Sequence, residues 1–274
     1  MKLLINEFIK DYKKKTTWIY ILLILFLIGG VGYINYKFGS TDNFNAATTL
    51  VSITRISTDL ALIFSLVMLA NNLSQEYSKG TIKFLYTKPK TRSAILTAKI
   101  ILGFINFIIL YVLGTAFDFI LKYYIFYNKR IGLNQLSNRI EEGYFGRTVG
   151  QQLAMHSLTS LAVMIFFIAM VVLVCVVFKT QILSLVLVLL TLLGGSIIQS
   201  LTVLAISKYE WVKYHPFDVT LFNAYYSNEA SRQVVKEIYK FSSANSLMLM
   251  LVAYSVVFFV ISYIVNARRD ITID

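Results

Sequence analysis

From Thr148 to Phe178 the chain carries no aspartate, glutamate, lysine or arginine, and this is one of six long apolar runs. In hydrocarbon a backbone must satisfy its own N–H and C=O groups, so runs of this kind fold as helices. No charge occurs between Lys15 and Lys37, and those about 21 residues make a helix of roughly 31 Å, enough to cross a hydrocarbon core. Hydrophobic residues make up 57% of the chain and the mean hydropathy is +0.67, above the roughly 45–50% apolar content of soluble domains. The spans are predicted at about 17–36, 50–74, 94–121, 153–178, 182–206 and 245–266.

The net charge of +12 does not point to nucleic acid. The bases stand beside the ends of apolar runs, where phospholipid headgroups and the positive-inside bias account for them. Membrane lipid is therefore an expected partner and nucleic acid is not. The lone cysteine, Cys175, lies inside an apolar run and forms no internal disulfide. His156 and His215 lack partner spacing, and zinc sites need three or four convergent ligands, so no metal site is expected. Glu141, Glu142 and Arg147 come near a Glu-Glu-x-x-x-Arg metalloprotease pattern, but the arginine is one residue too far along.

In residues 1–15, Ile5, Phe8, Ile9 and Tyr12 fall on one helical face. Lys2, Lys10, Lys13, Lys14 and Lys15 supply the bases. This reads as an interfacial helix with its apolar face in lipid. No A-x-A-like cleavage site follows, so it is expected to stay in the mature chain. In the second span Thr48, Ser52, Arg55 and Asp59 form one stripe. Arg55 and Asp59, four residues apart, can neutralise each other. Either the pair sits in the outer headgroups, or Ser52, Arg55 and Asp59 line an export path or a subunit interface, since ionisable groups at membrane depth face protein or water. Asp118 and Lys122 read as a helix-surface pair worth a few tenths of a kcal/mol. Residues 122–152 read as an outer loop with some helix, and Lys179, Thr180 and Gln181 as a tight hairpin turn. Gly194 and Gly195 would permit close helix contact or a kink, and His156 reads as a hydrogen-bonded interior residue. The aromatic-rich segment 207–243 is a long outer one.

Between the second and third spans lies Gln75 to Lys99, with Glu76 as its one acid against Lys79, Lys83, Lys88, Lys90, Arg92 and Lys99. So dense a basic insert marks a cytoplasmic face. Gly80 and Thr81 break the direction of the chain. Ile82, Phe84 and Leu85 are too apolar for a solvated loop, Pro89 stops a helix, and Thr91 or Ser93 is placed to cap the next one. These features predict a short amphipathic helix on the cytoplasmic side. Inner segments, including the amino terminus, then hold 14 of the 26 bases, and six spans put both termini in the cytoplasm.

The order Glu76, Gly80, Thr81, Leu85, Pro89, Arg92, Lys99 resembles the signature of type-2 ABC transporter permeases, the membrane subunits of bacterial exporters. The close match covers about 25 residues; elsewhere the agreement is in topology only. The resemblance implies an all-α polytopic membrane protein of six transmembrane helices, with residues 1–15 as an N-terminal interfacial helix, 16–274 as the transmembrane domain and 75–92 as a cytoplasmic coupling helix. It also implies short re-entrant or interfacial helices in 207–243. Glu76, Lys79, Gly80, Thr81, Ile82, Leu85, Lys88, Pro89 and Arg92 would dock two copies of an ATPase subunit, beside a second permease subunit, identical or homologous. The chain has no G-x-x-x-x-G-K-[ST] phosphate loop, so no catalytic residues or cofactors of its own are expected, and ATP and Mg would belong to the ATPase. The implied function is export of a hydrophobic or amphipathic cargo, such as a peptide, antibiotic or lipid-like molecule, across the bacterial plasma membrane. A channel or sensor with a basic lipid-anchoring loop is the alternative.

Overall fold

The computed structural model describes residues 2–38, 45–78, 91–140, 143–178 and 180–268. Nine α-helices are formed among them: α1 Lys2–Tyr12, α2 Lys15–Phe38, α3 Ala46–Ser78, α4 Arg92–Leu121, α5 Val149–Val177, α6 Gln181–Ile206, α7 Leu221–Ser227, α8 Glu229–Glu237 and α9 Ala244–Arg268. The described residues contain no β-strand, only an isolated bridge between Arg139 and Thr148. Six helices, α2 to α6 and α9, are long and apolar enough to cross a membrane, and each of the six apolar runs lies in one of them.

The central element is α5. It is apolar on every side, and a helix of that kind belongs in the middle of a bundle. Met164, Phe166, Ile168, Ala169, Val171, Val172, Cys175 and Val176 are all buried. It packs on α3 and α9, while α3 also packs on α4 and α6. In lipid, association of such helices depends on close packing rather than on expelling water. Small residues supply it: a Cβ on Gly114 of α4 would meet Ile28 of α2 at 3.0 Å and Ser57 of α3 at 3.5 Å. By contrast α6 is peripheral, with Ile182, Leu190, Leu193, Ile197, Leu201 and Leu204 exposed. At Gly194 and Gly195 no other long helix comes into close contact among the described residues. A Cβ on Gly194 meets nothing within 4 Å, one on Gly195 would meet Phe217, and α6 runs unbroken.

The helix starts follow local capping chemistry. Thr91 is the N-cap of α4, its side chain accepting from the Ala94 N–H. Thr148 and Gln151 close a reciprocal capping box at the start of α5. At one end of the bundle α4 continues through a π-helical turn, Lys122–Phe126. There the connections are long, with one-turn helices at Leu133–Ser137, Glu210–Tyr214 and Pro216–Thr220 ahead of α7 and α8. At the other end stand α1, the last turns of α3, α5 and α9, and the first turns of α4 and α6.

Candidate functional site

Most of the expected coupling segment lies outside the described residues: Lys79, Gly80, Thr81, Ile82, Leu85, Lys88 and Pro89 all do. The helical backbone of α3 includes Glu76 and ends at Ser78. Arg92 opens α4 and donates from Nη1 to the Ala267 carbonyl at 3.4 Å, tying the start of α4 to the end of α9.

Near the end of α3 and the start of α4 the structure assembles a buried polar cluster. Lys99, two turns into α4, donates through Nζ to Glu7 Oε2 of α1 at 2.7 Å and to Asn72 Oδ1 of α3 at 2.9 Å. The Lys99 and Glu7 side chains are only 2% and 5% exposed. Two turns further along α4, Asn106 donates to Asp11 Oδ2 at 3.0 Å, and Lys14 reaches Asp11 Oδ1 at 3.2 Å. Asp11 also offers its carbonyl to the Thr17 hydroxyl at the start of α2. Beside Asn72, Asn71 accepts from Gln181 of α6 at 2.8 Å, and Ser74 donates to Cys175 of α5 at 3.5 Å. One cluster thus links α1, α3 and α4, and the adjoining polar pairs reach α5 and α6.

This corrects one expectation. Lys99 is not part of an exposed basic insert but an interior cation held by a carboxylate and an amide. On α1, Glu7 and Asp11 turn into the bundle, while Ile5 and Ile9, from the face expected to meet lipid, are exposed. Sequence reading missed this cluster although a signal was present. Glu7 and Asp11 stand one helical turn apart, and Lys99 sits between Ala98 and Ile100 at the mouth of an apolar run. Charges so placed need buried partners.

The stripe expected on α3 is divided. Ser52 faces inward and accepts from Lys122 at 3.5 Å. Arg55 and Asp59 are exposed, and among the described residues they form no ion pair with each other. The Asp118–Lys122 pair is not on a helix surface. Its groups meet at 3.0 Å with side chains 1% and 2% exposed, and Asp118 Oδ1 has no hydrogen-bond partner among the described residues. Its loss would cost far more than a surface pair, because the α2 and α3 helices cover it. A recess of about 240 Å³ opens among Thr58, Phe107, Ile108, Tyr111 and Ser157, with Tyr111 and Ser157 hydrogen-bonded at 2.7 Å. His156 is interior, and its Nε2 has no hydrogen-bond partner among the described residues. No group of three metal-ligating side chains occurs among the described residues.

The family described as "Protein of unknown function (DUF2705)" matches residues 8–272. The chain belongs to this family. Among curated proteins none matches it. The family match in this DUF2705 protein takes in all six long helices entire, together with Asp11, Lys99 and Asn106, and it starts one residue after Glu7.

Proposed function

We propose that this chain is the membrane subunit of an ATP-driven exporter, with its drive taken from a separate ATPase that docks on residues 75–92. The observation that carries the reading is the position of Lys99. The segment joins the end of α3 to the start of α4, and Lys99 bonds α4 to α3 through Asn72 and to α1 through Glu7. A force applied to residues 79–90 would therefore reach both spanning helices together, without being lost in their separate motion. The resemblance of Glu76, Gly80, Thr81, Leu85, Pro89 and Arg92 to the permease signature supports the same reading. In it α1 lies at the inner leaflet, both termini are cytoplasmic, and the protein resides in the bacterial plasma membrane. The ATPase, in two copies, supplies ATP and Mg chemistry, and a second permease subunit completes the path.

Exposed Arg55 and Asp59 suit that second subunit. Ionisable side chains at membrane depth are costly against lipid, and neither is neutralised by the other through an ion pair. The cargo class that fits is hydrophobic or amphipathic, in keeping with the apolar recess beside Tyr111 and Ser157.

The test is co-purification. Detergent-solubilised wild type, from a host expressing the neighbouring genes, is compared with a variant carrying Ile82→Asp and Leu85→Asp. An ATPase retained by the wild type and lost from the variant is the expected result. No ATPase with either protein overturns the reading and favours a channel or sensor with a lipid-anchoring loop. Glu76→Ala should lower transport-coupled ATP hydrolysis without reducing the amount of protein in the membrane.

A further inference from the structure

At the end of the bundle opposite α1, two arginines from different elements converge on one aromatic ring. The Arg232 guanidinium carbon, from α8, lies 3.6 Å from the centre of the Phe145 ring. That of Arg147, from the strap before α5, lies 4.7 Å from the same centre. Arg232 also covers the ring of Tyr225 at 4.8 Å. Both arginines are half-buried.

The backbone is bent to make this arrangement. Phe145 has φ of 58°, between Gly143 at 79° and Gly146 at 64°. A bulky side chain in the left-handed region is uncommon and carries strain. The turn is held by α8: the Phe145 N–H donates to Glu229 Oε1 at 3.0 Å, and the Glu229 N–H donates to the Gly143 carbonyl at 2.7 Å. These contacts fix the ring where both guanidinium groups can stack on it.

Both guanidiniums keep N–H donors that no described residue accepts. A guanidinium has five N–H donors. Arg147 directs Nη1 to Gln152 Oε1 and the Tyr226 carbonyl, and Arg232 directs Nε to the Tyr225 carbonyl. Neither pairs with a carboxylate among the described residues. Glu229, the acid beside them, is engaged by the Phe145 N–H. Burial lowers the Arg147 pKa from its ordinary value, and the nearby Arg232 charge lowers it further.

We propose that Arg147 and Arg232 form a binding site for a phosphate group, either free or carried by a phospholipid headgroup. Both guanidiniums lie against one ring, and a guanidinium fork offers the bidentate geometry that phosphate oxygens accept. A bound dianion or diester would relieve the repulsion between the two cations. The site stands at the opposite end of the bundle from Lys99 and holds whether or not the chain is a permease.

The full chain in nonionic detergent is titrated with four probes, and the thermal unfolding midpoint is followed. The probes are inorganic phosphate, sodium chloride at matched ionic strength, short-chain phosphatidylglycerol and diacylglycerol with the same chains. The expected result is a saturable rise with a phosphate-bearing probe and none with chloride or diacylglycerol, weakened at least tenfold in Arg232→Gln and in Arg147→Gln. Arg232→Lys, which keeps the charge but loses the fork, should fall between. A response to phosphatidylglycerol alone assigns the site to lipid, and a response to inorganic phosphate assigns it to the free anion. Should Arg147→Gln fail to fold through loss of its bonds to Gln152 and Tyr226, the two Arg232 variants decide. A wild type that responds to neither phosphate probe, or an equal response in the Arg232 variants, overturns the proposal.

Discussion

Removing the Lys99 ammonium alone should be among the most damaging single changes in the protein. In Lys99→Met the stem is replaced at similar volume, but Glu7 is left buried without the cation 2.7 Å away, and Asn72 Oδ1 loses its donor. Breaking a buried ion pair from one side costs about 3–5 kcal/mol, because one charge stays desolvated and uncompensated. Glu7→Gln alone should also destabilise, because the Lys99 ammonium loses its carboxylate. Removing both charges together leaves no uncompensated buried charge, which takes away the largest cost of either single change. The double variant should therefore be more stable than the sum of the singles implies by at least about 2 kcal/mol, as expected for contacting groups. The assay is equilibrium unfolding in mixed micelles, titrating a denaturing detergent against a nonionic one, for wild type, both singles and the double. If the double loses as much as the two singles added, within about 0.5 kcal/mol, then the buried bond is not what joins α1 to α4. In the permease reading, the singles should also uncouple ATP hydrolysis from transport in protein that still folds.

The Asp118–Lys122 pair should behave in the same way at the other end of α4: Lys122→Met alone should destabilise by about 3–5 kcal/mol, and Asp118→Asn with Lys122→Met by much less, on the same unfolding assay. Asp218, in the connection between α6 and α7, is fully buried with neither carboxylate oxygen hydrogen-bonded among the described residues, and burial pushes its pKa up to about 7 from 3.8. The folded state thus holds a proton that the unfolded state releases above pH 4. Stability is greatest below that pH, falls as pH rises toward 7 by up to about 4 kcal/mol, and then levels off. Asp218→Asn should abolish this slope in unfolding midpoints measured from pH 4.5 to 8, and an undiminished slope would refute the assignment. Gly114→Val should shift the packing of α2 and α3 against α4 and cost about 1–3 kcal/mol through overpacking, read as a lower midpoint, with Gly114→Ala milder.

Much of the architecture was legible because the constraint is local. A run such as Thr148–Phe178 can satisfy its backbone in hydrocarbon only as a helix, so the number, order and approximate ends of the long helices follow from the positions of charges and polar loops. Capping is equally local, and Thr91 could be recognised as a candidate N-cap from its place after Pro89. Side-chain partnership across the bundle is not local. Asp118 and Lys122 read as an exposed pair because one helix viewed alone does not reveal that α2 and α3 cover them. Ser52 and Arg55 share a sequence stripe, yet the stripe is wide enough for packing to place one beside Lys122 and leave the other exposed.

The same division applies to the candidate sites. A basic, partly apolar insert between two spans was evident from residues 75–99 alone, because charge density and the Pro89 break are properties of the string. Whether a given lysine belongs to that insert was not. Lys99 is 92 residues from Glu7 and 27 from Asn72, and Arg232 is 87 residues from Phe145 by position in the chain. Nothing in spacing or periodicity carries information over such separations. The sequence by itself determined an all-helical chain with six helices fit to cross a membrane, since every backbone group needs a partner wherever water is absent. The tertiary structure decided which charges face one another and which are left unpaired, since burying a charge is tolerable only where another element brings its partner.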